Sequence, residues 1–204
     1  MLFDDTYKTL KTTSEGVFRD KGSKFIGYAY PIKSETDVKP ILANLKAEHP
    51  KARHFCWALR LTPDRAVFRI NDDGEPSGTA GRPILNTLLS ADITNVLMVV
   101  VRYFGSTLLG VPGLINAYKS ASIEAVNANQ IITNTINDVY ELYFGYVVMN
   151  DVMKVIKEEQ LAILEQEFDN ECLIRFEVRK AQLNMVLGKF EKLENIEVKY
   201  LFTV

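Results

Sequence analysis

The chain has 204 residues, enough for one large domain or two modest ones with real cores. Hydrophobic residues make up 47% and charged residues 25%, which excludes a disordered or fibrous chain. With 24 Lys and Arg against 26 Asp and Glu the net charge is −2, well short of the balance that marks a dedicated nucleic-acid binder. The charge is uneven, however. Up to Asn137 there are 16 basic and 13 acidic residues (+3), and beyond it 8 and 13 (−5). The segment MLFDDTYKTLKTT has acids where a secretory signal needs lysines, and the longest apolar run, residues 96–101, is too short to span a bilayer. Cys56 and Cys172 have no CxxC spacing, so neither a disulfide framework nor a structural zinc site is expected. The expectation is a cytoplasmic protein with no membrane partner.

In chain order, residues 8–31 predict a hairpin turning across Asp20-Lys-Gly-Ser23. A helix over 37–48 carries Val38, Ile41, Leu42 and Leu45 on one stripe, with Pro40 in its first turn. Strands are predicted at 54–61 and 66–70, a helix through 85–89, a strand at 95–104, and a helix over 114–129. Residues 132–138 (ITNTIND) are polar and uncommitted, which makes them the natural boundary between two domains, 1–135 and 138–204. In the second, Tyr140, Leu142, Phe144 and Tyr146 alternate as a half-buried strand, and Asn150 is a candidate cap for a helix carrying Val152, Val155 and Ile156. A strand at 162–168, a turn at Asp169-Asn170 and a strand at 172–179 follow. Next come a helix with Leu183, Val186, Leu187 and Phe190, and a last strand with Val198, Tyr200, Phe202 and Val204 on one face. The order βαββαβ is that of a ferredoxin-like domain, and the fold class is α+β in two domains.

Residues 71–83, NDDGEPSGTAGRP, raise the question of chemistry. Asp72, Asp73 and Glu75 are oxygen donors for a hard cation, but their spacing is not that of an EF-hand loop and no histidine lies near in sequence. Ser77, Gly78, Thr79 and Gly81 fit an anion cradle at a helix start, and equally a turn with Ser77 or Thr79 as the cap and Pro83 in the first turn. A second loop, 105–113, follows a strand and satisfies the G-x₄-G of a P-loop. Val111 and Pro112 stand where the phosphate-binding Lys and Ser or Thr belong, which excludes a nucleotide triphosphatase. His54 and Cys56 share a strand face and so form either a base–nucleophile pair or a buried cysteine beside a satisfied histidine, with Phe55 and Trp57 on the other face. No residue is assigned a catalytic role, and no cofactor or metal is expected.

Four stretches carry a resemblance: Lys21-Gly-Ser-Lys24-Phe, Ala52-Arg-His54-Phe-Cys, NDDGEPSGTAGRPIL and VVRYFGSTLLGVPGLINAY. On these the chain resembles the YigZ/IMPACT family over essentially its whole length. The resemblance implies an amino-terminal α/β sandwich akin to domain IV of elongation factor G and a carboxy-terminal domain akin to its domain V. It implies a non-catalytic, translation-associated role in contact with RNA, the ribosome or a protein partner. The implied binding surface is Asp72, Asp73, Gly74, Glu75, Ser77, Gly78, Thr79, Gly81 and Arg82, with Arg102, Tyr103, Phe104, Gly105, His54 and Lys24. The chain departs from the common pattern at Ser106, Leu108 and Pro112, where glycine, lysine and glycine are usual, which weakens any phosphate-binding role for that loop. The 71–83 loop is expected to shape a mixed-sign pocket with the RYFG segment, Arg82 and Arg102 supplying positive charge. A basic face is expected from Arg19, Lys21, Lys24, Lys51, Arg53 and Arg69. The alternative is a hydrolase or transferase using the Asp72/Asp73/Glu75 loop, with or without a metal.

Overall fold

The computed structural model describes residues 5–169 and 171–204. Among them the chain divides into two compact units, Tyr7–Asn134 and a second comprising Thr135–Val204 with Asp5 and Thr6. No helix among the described residues is long and apolar enough to cross a membrane.

In the first unit β1 (Thr6–Leu10) precedes a hairpin of β2 (Ser14–Asp20) and β3 (Ser23–Pro31). Lys21 and Gly22 both adopt positive φ, 43° and 78°, the backbone of a two-residue turn whose twist suits the flanking strands. Helix α1 (Val38–Glu48) is entered through a 3₁₀ turn. Its start is closed by a capping box, in which Ser34 accepts from Thr36 N–H and Asp37 accepts from Ser34 N–H. Then come β4 (His54–Leu61), β5 (Val67–Asn71), α2 (Gly81–Ser90), β6 (Val96–Tyr103), α3 (Gly110–Asn127) and β7 (Ile131–Thr135). Helices α2 and α3 start four residues before the expected 85 and 114, because glycine and proline do not oppose a first turn. Pro83 and Pro112, like Pro40 in α1, are the third residues of their helices, where a missing N–H loses no intrahelical bond.

The main sheet runs β2-β3-β6-β4-β5, every pair antiparallel. Its central strand β6 is buried from Val96 to Arg102, unlike a strand with one wet face. Met98 and Val100 join Ile84, Leu88 and Ala117 of α2 and α3, while Leu97, Val99 and Val101 join Val38 and Leu45 of α1 on the opposite face. Helix α3 comes close to the hairpin because Gly16 and Gly27 face it. A Cβ on Gly16 would lie 2.2 Å from Ala125 N, and one on Gly27 2.4 Å from Ala121 O.

Residues 132–138, uncommitted in sequence, are strand on either side of Ile136. β7 pairs with β1, and β8 (Asn137–Phe144) begins directly after it. The start of the predicted 8–31 hairpin is likewise the separate strand β1. Partners more than a hundred residues apart hold this ribbon, so no local pattern announces it.

The second unit continues with α4 (Met149–Glu158), β9 (Ala162–Phe168), β10 (Cys172–Arg179), α5 (Leu183–Phe190) and β11 (Ile196–Thr203), in sheet order β11-β8-β10-β9. This is the expected ferredoxin-like arrangement, all antiparallel. Ile174, Phe176 and Val178 are buried while Arg175 and Glu177 are less so, as their alternation predicts. Three details differ. Asn150 lies inside α4 and caps nothing, since Tyr146, expected in the strand, begins a 3₁₀ turn that leads into the helix. The single face expected of β11 is broken by a bulge between Tyr200 and Phe202, which sends Phe202 opposite Val139 and leaves Tyr200, Phe202 and Val204 exposed. The turn placed at Asp169-Asn170 includes Asn170, which lies outside the described residues.

Candidate functional site

Strand register brings the four motif stretches, scattered over about a hundred residues of sequence, to one end of the main sheet. The Lys21-Gly22 turn closes β2 and β3 there, Lys24 pairs with Tyr103, His54 pairs with Arg102, and Trp57 pairs with Asn71, after which the acidic loop leaves β5.

The three acids of that loop turn inward and separate. The Asp72 carboxylate accepts three backbone N–H bonds, from Gly78 (2.9 Å), Ala80 (3.0 Å) and Gly81 (2.8 Å). It therefore caps α2 from eight or nine residues upstream, the role expected of Ser77 or Thr79. Thr79 instead donates its hydroxyl to the Pro76 carbonyl, and no side chain local to α2 caps it. Burial pushes the Asp72 carboxyl up, but its N–H donors outweigh that and hold it below the usual value. Asp73, in left-handed backbone (φ 39°) before Gly74 (φ 84°), accepts from Phe55 N–H at 2.7 Å, and its carbonyl takes the Nδ1–H of His54 at 2.9 Å. Glu75 is ion-paired with Arg102, both side chains about 95% buried, and accepts from the Tyr118 hydroxyl at 2.7 Å.

Behind this lies a sealed polar cluster. Cys56 Sγ sits 3.0 Å from the Asp72 carbonyl and 3.3 Å from the Tyr118 hydroxyl. Burial pushes its thiol up, and burial does the same to the Tyr118 phenol. A protonated thiol bonded this way is no nucleophile, so of the two readings of His54 and Cys56 the buried cysteine beside a satisfied histidine holds. The Arg102 guanidinium lies between the rings of Phe25 (5.3 Å) and Phe104 (5.2 Å), and Phe104 is half exposed. Gly105 donates to Ser23 Oγ at 3.0 Å, and a Cβ on it would lie 2.4 Å from the Gly22 backbone.

Arg102, expected to lend positive charge to a mixed-sign pocket here, is instead buried and paired with Glu75. Arg82, at the start of α2, faces elsewhere, lining a depression of about 320 Å³ with Gly78, Asn86, Ser90, Ile115 and Lys119. Among the described residues no group of three or more His, Cys, Asp or Glu is placed to hold a metal.

The α1 face of the sheet is different. Arg19 pairs with Lys24, Lys24 with Tyr103, and Arg53, just before His54, continues the line, so three cations and a tyrosine form one row across β2, β3, β6 and the approach to β4. Lys21 and Lys51 are exposed in the adjoining turns. No ion pair among the described residues engages any of these five cations, whereas Arg69, opposite Leu59 on the same face but on the edge strand β5, is paired with Glu35. The His49 ring bridges the hydroxyls of Tyr28 and Tyr103 at 2.8 Å each, tying the end of α1 to the row. Burial, then Glu15, pushes the Tyr28 phenol up to about 12. Sequence reasoning missed Tyr118, Tyr28 and His49. Their only signal was a large polar-tipped ring at a core-facing position.

These observations define a two-unit α+β protein whose shared motifs meet at one end of an antiparallel sheet. The family model for the Impact N-terminal domain matches residues 21–126. An IMPACT family member of Haemophilus influenzae is 33% identical over 84% of this chain and 79% of its own. YigZ of Escherichia coli is 30% identical over 80% and 81%. A crystal structure reported as that of a hypothetical protein superposes with a TM-score of 0.76 at 26% identity, covering 97% of this chain and 98% of its own. The chain belongs to the IMPACT family.

Proposed function

We propose that this protein is a non-catalytic, cytoplasmic binding module that contacts RNA on or near the ribosome through the α1 face of its amino-terminal sheet. The observation that carries this reading is the transverse row Arg19–Lys24–Tyr103–Arg53. Unpaired cations beside a partly exposed ring suit a phosphate backbone and an unstacked base. The inward acids support the non-catalytic part, since Asp72, Asp73 and Glu75 spend their oxygens on backbone N–H groups, Arg102 and Tyr118. The translational setting follows the family resemblance to elongation-factor domains.

The test is co-sedimentation with ribosomes over a salt series, with and without nuclease. Wild-type binding should weaken steeply as salt rises. Arg19→Ala/Lys24→Ala/Arg53→Ala should reduce the salt slope by about one for each phosphate contact removed. No binding at low salt, or an unchanged slope in the triple variant, overturns the proposal. Nuclease-resistant binding points instead to a ribosome-bound protein.

A further inference from the structure

The opposite face of the same unit carries a second surface. Helices α2 and α3 lie side by side on the sheet, and their outer faces enclose two adjoining depressions, of about 320 and 200 Å³, that share Ser90 and Lys119 and together make up the α2/α3 groove. Along α3 its wall is Ile115, Lys119 and Ile123 at i+4 spacing, with Val111 one turn further out. Ile115 and Val111 are 39% and 52% exposed. Along α2 the wall is Arg82, Asn86 and Ser90.

The charged side chains that line the two depressions are Arg82 and Lys119. Helix α2 holds no carboxylate, and the one acid of α3, the exposed Glu124, lines neither depression and has its Cβ beside Gly16 of β2. Arg82 and Lys119 are both exposed and engaged in no ion pair among the described residues. The stretch from Val111 to Ile123 spans ~18 Å of helix, room for five or six residues of extended chain. From this geometry we propose that the α2/α3 groove docks a short acidic peptide segment of a protein partner. Its aliphatic side chains lie along Ile115 and Ile123, and its carboxylates pair with Arg82 and Lys119. Small polar groups at Asn86 and Ser90 suit a peptide backbone. The groove is independent of the RNA-facing row, so a chain using both would connect an RNA to a protein.

The test is selection of random 12-residue peptides by phage display on the full chain, followed by fluorescence anisotropy with one enriched peptide and its Asp/Glu→Asn/Gln counterpart. Enriched peptides should combine Asp or Glu with Leu, Ile or Phe. Affinity should fall about tenfold or more in Arg82→Glu/Lys119→Glu, and similarly when the peptide's acids become amides. Both side chains are exposed, so the variant should keep the wild-type melting curve; Ile115→Asn tests the apolar wall separately. No enrichment, enrichment of neutral or basic peptides, or binding that survives the double reversal overturns the proposal. So does a short single-stranded RNA that shifts the α2 and α3 amides in NMR. Ribosome co-sedimentation should be unchanged in Arg82→Glu/Lys119→Glu, which keeps failure here distinct from failure of the RNA-binding reading.

Discussion

Replacing Asp72 should unfasten the start of α2. Its carboxylate is the acceptor for Gly78, Ala80 and Gly81 N–H, three donors that no side chain local to the helix satisfies. A hydrogen bond to a charged group contributes about 1.5–3 kcal/mol, but water reaches this half-buried loop and replaces part of each bond. Helix caps, worth about 0.5–2 kcal/mol, are the nearer guide, so Asp72→Ala should cost about 2–3 kcal/mol and Asp72→Asn, which keeps one acceptor oxygen, about 1 kcal/mol. The folded carboxyl sits below its ordinary value of 3.8. The contribution is therefore present above that unfolded value and is lost as pH falls through the lower folded one. The difference in stability between wild type and Asp72→Asn should be constant near neutrality and shrink below about pH 4. Urea denaturation at several pH values measures it, and hydrogen exchange of the Ala80 and Gly81 amides reports the site directly. If those amides exchange no faster in Asp72→Ala, the cap is not held by this carboxylate.

Other substitutions probe the same end of the sheet. Glu75→Ala leaves Arg102 buried without its counterion and should cost about 3–5 kcal/mol, measured by urea denaturation. Gly105→Ala should lower the melting temperature markedly, since its Cβ would overlap Gly22. In α5 the Cβ of Gly188→Ala meets nothing within 4 Å, so this change should stabilise by about 0.5–1 kcal/mol. Cys56 and Cys172 are both fully buried and should react with a thiol reagent only as the protein unfolds; rapid labelling of either in the native state would contradict the packing described here.

Much of the fold is legible locally. The two-residue turn at Lys21-Gly22, the alternation of Ile174, Phe176 and Val178, and the apolar run of β6 each state their structure within a few residues, because strand and helix periods act over that range. The stretch 71–83 is legible as unusual, but not in its role. Its acids look like ligands or bases in a list of residues, and only the fold shows that Asp72 caps a helix, Asp73 holds β4, and Glu75 neutralises an arginine from a strand 27 residues away. Arg102 illustrates the limit most directly: in sequence it is one more cation beside Tyr103, yet it is buried and paired, while Arg19 and Arg53 stay exposed and Lys24 half-buried.

The sequence by itself thus determined most of the elements, the ferredoxin-like second unit and the family motifs, all of which rest on side-chain order along one backbone. The tertiary structure alone decided which charges are internal, that β1 pairs with β7, and that four separate motifs share one end of a sheet. Those outcomes depend on strand register and burial, which are set by contacts between residues far apart in the chain, and a buried charge is tolerated only where such a contact supplies its partner.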